Sequence, residues 1–409
     1  MTEPLAGVAR SSVHALLRRM TREGLTVLED FGCAGAAVEL TFGDVSGELQ
    51  GEIVVRDRRA YLSVMTEGAI GLGRGYIEGW WDSPHVVTAL RAIIRNLTVI
   101  DAARNRLHRL SGWATDAVRA RVPRRGRAGN REDISAHYDL GNAFFSLFLD
   151  ETMTYSSAVF ESAGATLAEA SLHKYDVLLE KLRLDRSHRL LEIGTGWGGL
   201  AIRAAETVGC HVTTTTISRE QLREATRRVS AGGHCDLVTL MDADWRDLSG
   251  SFDRIISIEM IEAVDWRDYD FFFATLERCL RPDGLIALQA ICLPDNRYDR
   301  AKNSEEFITR FVFPNGCLSS IGAISRAASR TTSLQIIDVE DISAHYAETL
   351  RRWRACFDER LDDVLALGFD ERFCRLWRFY LQYCEAGFRE RHITVNQIVL
   401  AGSEWRGSI

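Results

Sequence analysis

Apolar residues recur along this 409-residue chain at two different spacings, and each spacing predicts its own kind of element. Near the amino end, the apolar residues that fall at helical intervals are Val13, Leu16, Leu17 and Met20. Three arginines, Arg10, Arg18 and Arg19, lie off that stripe. The pattern predicts an amphipathic helix that either packs on its own domain or contacts a membrane surface through its basic face.

Two strand-like segments and a helical one follow. Residues 36–43 read AAVELTFG and residues 48–57 read ELQGEIVVRD, with Gly43, Asp44 and Gly47 at their junction. We interpret these segments as a β-hairpin, because turn-forming residues separate two runs rich in apolar and β-branched residues. The helical stretch HVVTALRAIIRNL comes next, at residues 85–97. The sequence thus predicts a small α+β domain over residues 1–110.

After about residue 130, short apolar runs alternate with helical ones. The strand-like runs are RLLEIG, HVTTTTIS, DLVTLMDA, FDRIISIEM and LIALQAIC. This alternation is typical of a parallel sheet covered by helices on both faces. The sequence therefore predicts a doubly wound α/β domain over residues 131–409.

An arginine-rich linker, residues 111–130, joins the two predicted domains. Nine arginines lie between positions 104 and 131, together with Pro123, Gly126 and Gly129. Proline and glycine interrupt regular structure, so the segment is a solvated connector or, through its charge, attracts anionic lipid headgroups.

Composition narrows the classes of protein. Apolar residues make up 46% of the chain and charged residues 26%, which is ordinary for a globular protein, and the net charge of −7 argues against a dedicated nucleic-acid-binding protein. The first thirty residues lack the apolar core of a signal peptide, and no run of about 18 apolar residues suggests a membrane span. The nine cysteines form no C-x-x-C pair, and no H-E-x-x-H spacing supports a catalytic metal. We expect a cytoplasmic protein with reduced cysteines.

A glycine-rich loop follows the first strand of the second domain, in the stretch RLLEIGTGWGGL at residues 189–200. Nicotinamide and flavin sites share its G-x-G-x-x-G spacing, but they place an acidic residue about 20 positions later for the ribose. Here that position falls among four threonines, residues 213–216, and Glu192 stands where those sites have an apolar residue. An acidic residue followed by G-x-G-x-G is typical of class I methyltransferases. We therefore expect S-adenosylmethionine as the cofactor of a Rossmann-like class I methyltransferase domain.

Further motifs resemble the cyclopropane-fatty-acid synthase family, in its full-length form with an N-terminal lipid-binding domain. They are GYIEGWWDS, HYDLGNAFFSLFLDETMTYSSAVF, SIEMIEAV, FITRFVFPNGCLSS and FYLQYCEAGFRERHITVNQIVL, spread over roughly residues 65 to 405. The resemblance implies an enzyme that adds one carbon from S-adenosylmethionine across the cis double bond of an unsaturated phospholipid acyl chain, giving a cyclopropane. The expected partners are that acyl chain and an anionic membrane surface, contacted peripherally from the cytoplasm. The oligomeric state, a homodimer included, stays open.

The family's motifs imply a cofactor site in this chain. Its residues are Tyr155, Ser156, Glu192, Gly194, Gly196, Gly198, Thr216, Ser218, Gln221, Asp244 and Trp245. Glu192 would orient the glycine loop and the amino-acid end of the cofactor, and the polar residues after the second strand would serve the ribose. Asp244 and Trp245 match the adenine neighbourhood, with core packing as the alternative for Trp245.

The resemblance also implies a catalytic site. A cis alkene attacks the sulfonium methyl group, and aromatic faces can stabilise the resulting carbocation. In the family a bound bicarbonate then removes a proton, and the groups that would hold it here are Glu262, Tyr346 and the backbone of Ile291. Gln289 stands where the family has a histidine, and Ser157 stands where it often has a cysteine.

These departures leave the product open. Loss of a proton from the transferred methyl group closes a cyclopropane, whereas loss elsewhere, or after a hydride shift, leaves a methylene or methyl-branched chain.

Other interpretations of these residues and of the whole chain stay open. Glu262 could instead be a buried carboxylate satisfied by amides, and Tyr346 a half-buried core residue. Two rival functions are an RNA or small-molecule methyltransferase, for which the chain lacks an N-P-P-Y-type motif, and a lipid-binding protein with a vestigial cofactor site, which the intact glycines disfavour.

Overall fold

The computed structural model describes residues 3–32, 37–111, 140–314 and 316–407, so residues 112–130 of the predicted linker lie outside the described part. The described strands are β1 (Gly24–Glu29), β2 (Val38–Gly43), β3 (Gln50–Val55), β4 (Trp81–Asp82), β5 (Arg189–Ile193), β6 (His211–Thr216), β7 (Val238–Asp242), β8 (Phe252–Ile258), β9 (Leu280–Cys292), β10 (Gln335–Asp341) and β11 (Thr394–Ala401). The described α-helices are α1 (Glu3–Leu17), α2 (Arg59–Glu67), α3 (Ala69–Ile77), α4 (Val86–Ser111), α5 (Asn142–Phe145), α6 (Leu167–Lys181), α7 (Gly199–Thr207), α8 (Arg219–Ala231), α9 (Tyr269–Cys279), α10 (Asp295–Ala301), α11 (Phe307–Phe311), α12 (Ile321–Thr331), α13 (Ser343–Glu359), α14 (Leu361–Ala366) and α15 (Glu371–Arg389).

The described residues fall into two compact units. The first draws on three separate segments, within Met1–Val122, Ser304–Val312 and Phe357–His392; the second draws on Pro123–Asn303, Phe313–Cys356 and Ile393–Ile409. Within the first unit, Arg91 and Arg95 of α4 each donate to the Glu390 carboxylate at 2.6 Å. The ring of Phe379 in α15 packs 5.0 Å from Phe307 and 5.1 Å from Tyr76. The late segments therefore complete the core of this unit.

The sheet of the first unit has four strands in the order β2-β1-β3-β4. β1 pairs with β2 antiparallel and with β3 parallel, so it lies between the two strands of the predicted hairpin, β2 and β3. The predicted hairpin is therefore wrong. The strand that intervenes has the sequence GLTVLE, whose apolar and β-branched residues suit a strand buried between two neighbours.

The predicted amino-terminal helix is present as α1, and its buried residues are Ala6, Ala9, Val13 and His14. Arg10, expected to lie off the apolar stripe, donates from Nε and Nη2 to the buried Glu29 carboxylate at 2.6 Å. Arg18 and Arg19 follow the helix and are exposed. The basic face of this helix is thus smaller than the sequence suggests, because one arginine is engaged within its own unit.

The second unit is built on a seven-stranded sheet in the order β10-β11-β9-β8-β5-β6-β7. The strands from β9 to β7 are parallel, and β11 pairs antiparallel with both β9 and β10. Successive residues of β8 enter opposite cores: Ile255 packs with residues of α9 and α12, and Ile256 with residues of α6 and α7. Helices therefore cover both faces, and the predicted doubly wound α/β fold is confirmed.

The order of the strands fixes where a ligand can bind. β5 comes first in this sheet, and its two neighbours, β6 and β8, lead away from it in opposite directions along the sheet. Open α/β sheets bind ligands at such a switch point, beyond the carboxyl ends of the strands. Within the described ranges, no helix is long and apolar enough to cross a membrane.

Candidate active site

The glycine loop leaves β5 at the switch point and leads into α7. Gly194, Gly196 and Gly198 have φ angles of 103°, 53° and 86°, which residues with a side chain rarely adopt. The amides of Gly194 and Thr195 both donate to the Thr215 carbonyl at 3.0 Å, which fixes the loop against β6. A Cβ added at Gly196 would meet no described atom within 4 Å. The loop is thus held in shape and has open space on one side, as close approach to a ligand requires.

Two buried ionisable residues accompany this loop, Glu192 and Lys174. Burial raises the pKa of Glu192 to about 8, although a hydrogen bond with Thr214 and the charge of Lys174 oppose the shift. Its Oε2 has no hydrogen-bond partner within the described residues. Lys174, on α6, is fully buried; its Nζ donates to Ser156 Oγ at 2.7 Å and lies 4.3 Å from the centre of the Tyr175 ring. Burial lowers the pKa of Lys174 to about 8.

The three residues expected at the ribose come together after β6. Thr216 Oγ1 donates to Gln221 Oε1 at 2.9 Å and accepts from the Ser218 amide at 3.1 Å. Ser218 Oγ caps α8 by accepting from the Gln221 amide at 3.3 Å. These bonds give the segment a fixed shape at the carboxyl end of β6, where a ligand of this fold is expected.

Asp244 and Trp245 follow β7, and their side chains make different kinds of contact. The Asp244 carboxylate caps the short helical turn Trp245–Asp247 and pairs with Arg246 at 2.9 Å. Trp245 is 8% exposed and packs edge-on against Phe272, with ring centres 5.2 Å apart. The structure thus places Trp245 in the core, which is the alternative that the sequence left open.

An aromatic cluster extends from Tyr155 to Tyr346, and its members are Phe145, Phe148, Tyr155, Phe313, Tyr346 and Trp353. The Tyr155 ring centre lies 5.2 Å from that of Phe145 and 5.3 Å from that of Trp353. Tyr346 meets Trp353 edge-on at 6.1 Å. Ring faces of this kind can stabilise a nearby positive charge.

Glu259, which is not among the site residues predicted from the sequence, connects three of the predicted catalytic residues. Its Oε1 accepts from the Ser157 amide at 2.9 Å and from Gln289 Nε2 at 2.8 Å, and its Oε2 accepts from Tyr346 Oη at 2.7 Å. Burial raises its pKa, while these three hydrogen bonds and the charge of Lys174 oppose the shift. The residue directly follows β8, at the carboxyl end where a reacting ligand is expected.

Glu262 lies one short turn further on, within Ile261–Ala263. Its Oε1 accepts from the Ile291 amide at 2.5 Å, whereas its buried Oε2 has no hydrogen-bond partner among the described residues. Burial, and then the negative charge of Glu259, raise the pKa of Glu262 to about 8. The structure therefore places two buried carboxyl groups beyond the carboxyl end of β8, and burial favours the neutral form of Glu262.

The bicarbonate implied by the family resemblance does not fit this arrangement. Its expected donors are all engaged: Ser157, Gln289 and Tyr346 donate to Glu259, and the Ile291 amide donates to Glu262. Gln289 Oε1 also accepts from Gln397 at 3.1 Å, which fixes the orientation of its amide. A side-chain carboxylate takes the place in which a free anion would be held.

Glu259 and Lys174 could have been found from two signals in the sequence. The stretch SIEMIEAV carries two carboxyl groups three residues apart, directly after a buried strand. On α6 the buried positions are Ala170, Ser171, Lys174, Tyr175, Leu178 and Leu179, so the lysine falls on the buried face of an amphipathic helix. A charged residue at such a position is rarely buried without a partner.

Comparison with known proteins gives the following matches. A family model described as mycolic acid cyclopropane synthetase matches residues 126–398. The tuberculostearic acid methyltransferase UfaA1 of Mycobacterium tuberculosis is 38% identical over 405 residues, covering 97% of this chain and 92% of the relative. The cyclopropane-fatty-acyl-phospholipid synthase of Escherichia coli K12 is 32% identical over 365 residues, covering 87% and 89%.

Solved structures match about two thirds of the chain. The cyclopropane synthase MmaA2 from Mycobacterium tuberculosis superimposes with a TM-score of 0.62 at 31% identity, covering 66% of this chain and 98% of that one. The mycolic acid cyclopropane synthase CmaA1, complexed with SAH and CTAB, gives the same TM-score and coverages at 32% identity. The predicted class I methyltransferase fold is confirmed.

Proposed function

Since this chain belongs to the mycolic acid cyclopropane synthetase family, and is an S-adenosylmethionine-dependent methyltransferase of the cyclopropane-fatty-acyl-phospholipid synthase type, we propose that it adds one carbon across the cis double bond of an unsaturated phospholipid acyl chain. The proposed route passes through a carbocation and ends in a cyclopropane. The observation that carries the proposal is the carboxyl pair Glu259–Glu262, which lies after β8 and is hydrogen-bonded to Tyr346 of the aromatic cluster.

S-adenosylmethionine, when bound, supplies a methyl group activated by a positive sulfur. The open side of the glycine loop at Gly196 suits its close approach, and Ser156, Glu192 and the segment after β6 are the groups that would hold it. The aromatic cluster offers ring faces to the positive charge that develops on the acyl chain. The buried carboxyl groups of Glu259 and Glu262 supply the means to move a proton within the site.

The relatives favour a second candidate for the product. One relative, whose match covers 97% of this chain, is named a tuberculostearic acid methyltransferase, and another relative is named a cyclopropane-fatty-acyl-phospholipid synthase. Both names are compatible with the same methyl transfer followed by different fates of the carbocation. A methylene or methyl-branched acyl chain is therefore the alternative product.

The test of the proposed function uses the full chain, methyl-labelled S-adenosylmethionine and vesicles of dioleoyl phosphatidylglycerol. We expect mass spectrometry of the lipids to show labelled acyl chains that have gained one carbon. Proton NMR then separates the products, because cyclopropane ring protons and alkene methylene protons resonate in different regions. Acyl chains that gain no carbon, with label found on the glycerol headgroup instead, would contradict the proposal.

We further propose that residues 1–110 and the arginine-rich segment bring the enzyme to the cytoplasmic face of an anionic membrane. On α1 the exposed apolar residues are Leu5 and Val8, which are 58% and 62% exposed, and Arg18 and Arg19 follow the helix. Exposed apolar side chains and nearby cations suit the interface of a bilayer, where each cation contributes about 1 kcal/mol.

Vesicle flotation tests this contact. We expect binding to phosphatidylglycerol vesicles to weaken severalfold between low and physiological salt, because salt screens surface charge. Leu5→Glu with Val8→Glu should weaken it further, whereas Leu365→Glu, at a 47% exposed position on α14, should not. Equal binding to neutral vesicles, or binding that ignores salt, would show that charge does not drive the contact.

A further inference from the structure

The donors that the family resemblance assigns to an external anion already bind a side-chain carboxylate of the protein itself. Ser157, Gln289 and Tyr346 donate to the carboxylate of Glu259 at 2.9, 2.8 and 2.7 Å. We propose that Glu259 itself takes the proton that ends the reaction, in the place that the family resemblance gives to bicarbonate. The inference rests on the proposed function, and it names the base of that reaction.

The backbone at Glu259 has an unusual conformation, which directs its side chain toward these three donors. Its φ is 49°, in the left-handed region, and its amide donates to the Gln289 carbonyl at 2.8 Å. A residue other than glycine in this region costs on the order of 1–3 kcal/mol and persists only where the surrounding structure imposes it. Such strain concentrates at functional sites, and here it directs a carboxylate at three donors.

The hydrogen bonds decide which of the two carboxyl groups is the anion. Two neighbouring carboxylates repel, so one of them keeps its proton. Glu259 accepts hydrogen bonds from three other residues, whereas Glu262 accepts from one other residue, Ile291, and leaves its Oε2 without a partner in the described chain. Glu259 is therefore the anion. Burial raises the pKa of this anion, which makes it a stronger base than an exposed carboxylate.

The proposed step balances without any further reagent. The alkene electron pair forms the bond to the methyl carbon, and the carbon–sulfur pair leaves with sulfur as S-adenosylhomocysteine. The other alkene carbon becomes the cation. Glu259 takes a proton from the transferred methyl group, and the freed electron pair closes the cyclopropane. If a hydride first shifts the cation to the methylated carbon, the same proton transfer leaves a methylene. Glu259, now neutral, returns its proton to water.

The first test needs no variant. Turnover of the wild-type chain on dioleoyl phosphatidylglycerol vesicles is measured in carbonate-free buffer under nitrogen and again with bicarbonate added. We expect equal rates, because the base is part of the chain. A rate that collapses without bicarbonate and returns when it is added would overturn the proposal.

The second test replaces the base. Glu259→Gln keeps the size of the side chain and cannot accept the proton, so turnover should fall by about 100- to 10,000-fold. Calorimetry should show S-adenosylhomocysteine bound within a fewfold of the wild-type affinity, and methylated lipid that carries a hydroxyl should accumulate as water captures the cation. Glu180→Gln, which removes an exposed carboxylate from α6, should turn over normally. Wild-type turnover by Glu259→Gln would overturn the proposal.

A third variant, Glu259→Gly, relieves the backbone strain and removes the carboxylate. We expect its low turnover to rise at least severalfold when formate or bicarbonate is added, because the three donors are then free to bind a small anion. Full turnover with no added anion would contradict the proposal. Failure of the proposed function is a separate result, since in that case the wild-type chain itself adds no carbon to the lipid.

Discussion

Gly196→Asn should raise the Kd for S-adenosylmethionine by about 100-fold or more, equivalent to ~2.7 kcal/mol, while the chain stays folded. Asparagine tolerates the left-handed conformation better than other residues with a side chain, so the φ of 53° adds little strain. Its side chain enters the open space beside Gly196, where we propose that the cofactor approaches the loop. Isothermal titration calorimetry with S-adenosylmethionine gives the Kd, and circular dichroism reports the fold.

The chain offers a matched control for this variant. Gly209 also has a positive φ, 73°, and a Cβ there would meet no described atom within 4 Å. It precedes β6, at the edge of the sheet opposite the carboxyl ends of the parallel strands. Gly209→Asn should therefore bind the cofactor like the wild type. If both variants bind normally, the glycine loop is not the cofactor site.

Lys174→Met should lower turnover at neutral pH by about 10- to 100-fold and restore it as the pH rises, since one pKa unit corresponds to a tenfold change in an ionisation equilibrium. Lys174 is a buried cation whose charge lowers the pKa of Glu259 and of Glu192, and it also interacts with Asp150. Without it, the pKa of Glu259 moves further above its usual range. A carboxylate is ionised above its pKa, so the active form is lost as the pH falls, and the loss begins at a higher pH in the variant.

The measurement is the pH profile of kcat from pH 6 to 9, and the sideways shift of its acid limb is the readout. A purely structural role for Lys174 would lower the whole profile without moving it. Lys181→Met is the control, because this lysine is on the same helix but pairs with Asp338 and Glu340, which are half-exposed. A Lys174→Met profile whose acid limb coincides with that of the wild type would show that the buried charge does not control the base.

The second unit could be predicted from the sequence more fully than the first. Its parallel strands are short runs rich in apolar and β-branched residues, separated by amphipathic helices, and the glycine loop marks the first strand. In the first unit, β1 pairs with partners on both sides, and the strand next to it in space is not the one next to it in sequence. Short-range patterns contain no information on that pairing, which is why the hairpin prediction failed.

The candidate site shows a similar division. Motif spacing identifies Gly194, Gly196 and Gly198, because their backbone conformations demand glycine. It does not reveal that Glu259 accepts hydrogen bonds from the donors expected to hold an external anion. That conclusion depends on three hydrogen bonds from residues 102, 30 and 87 positions away in the sequence. Only the folded chain brings these donors to one carboxylate.

The assembly of the first unit from three segments has a consequence for synthesis of the chain. Arg91 and Arg95 find their shared partner only when Glu390 has left the ribosome, and Tyr76 finds Phe379 only slightly earlier. The amino-terminal sheet is thus translated first, but the core of its unit is completed last, with apolar surface exposed for nearly the whole period of translation. We expect nascent chains of this protein to depend on chaperones that shield such surface, and truncation before residue 357 to yield aggregation rather than a smaller folded protein.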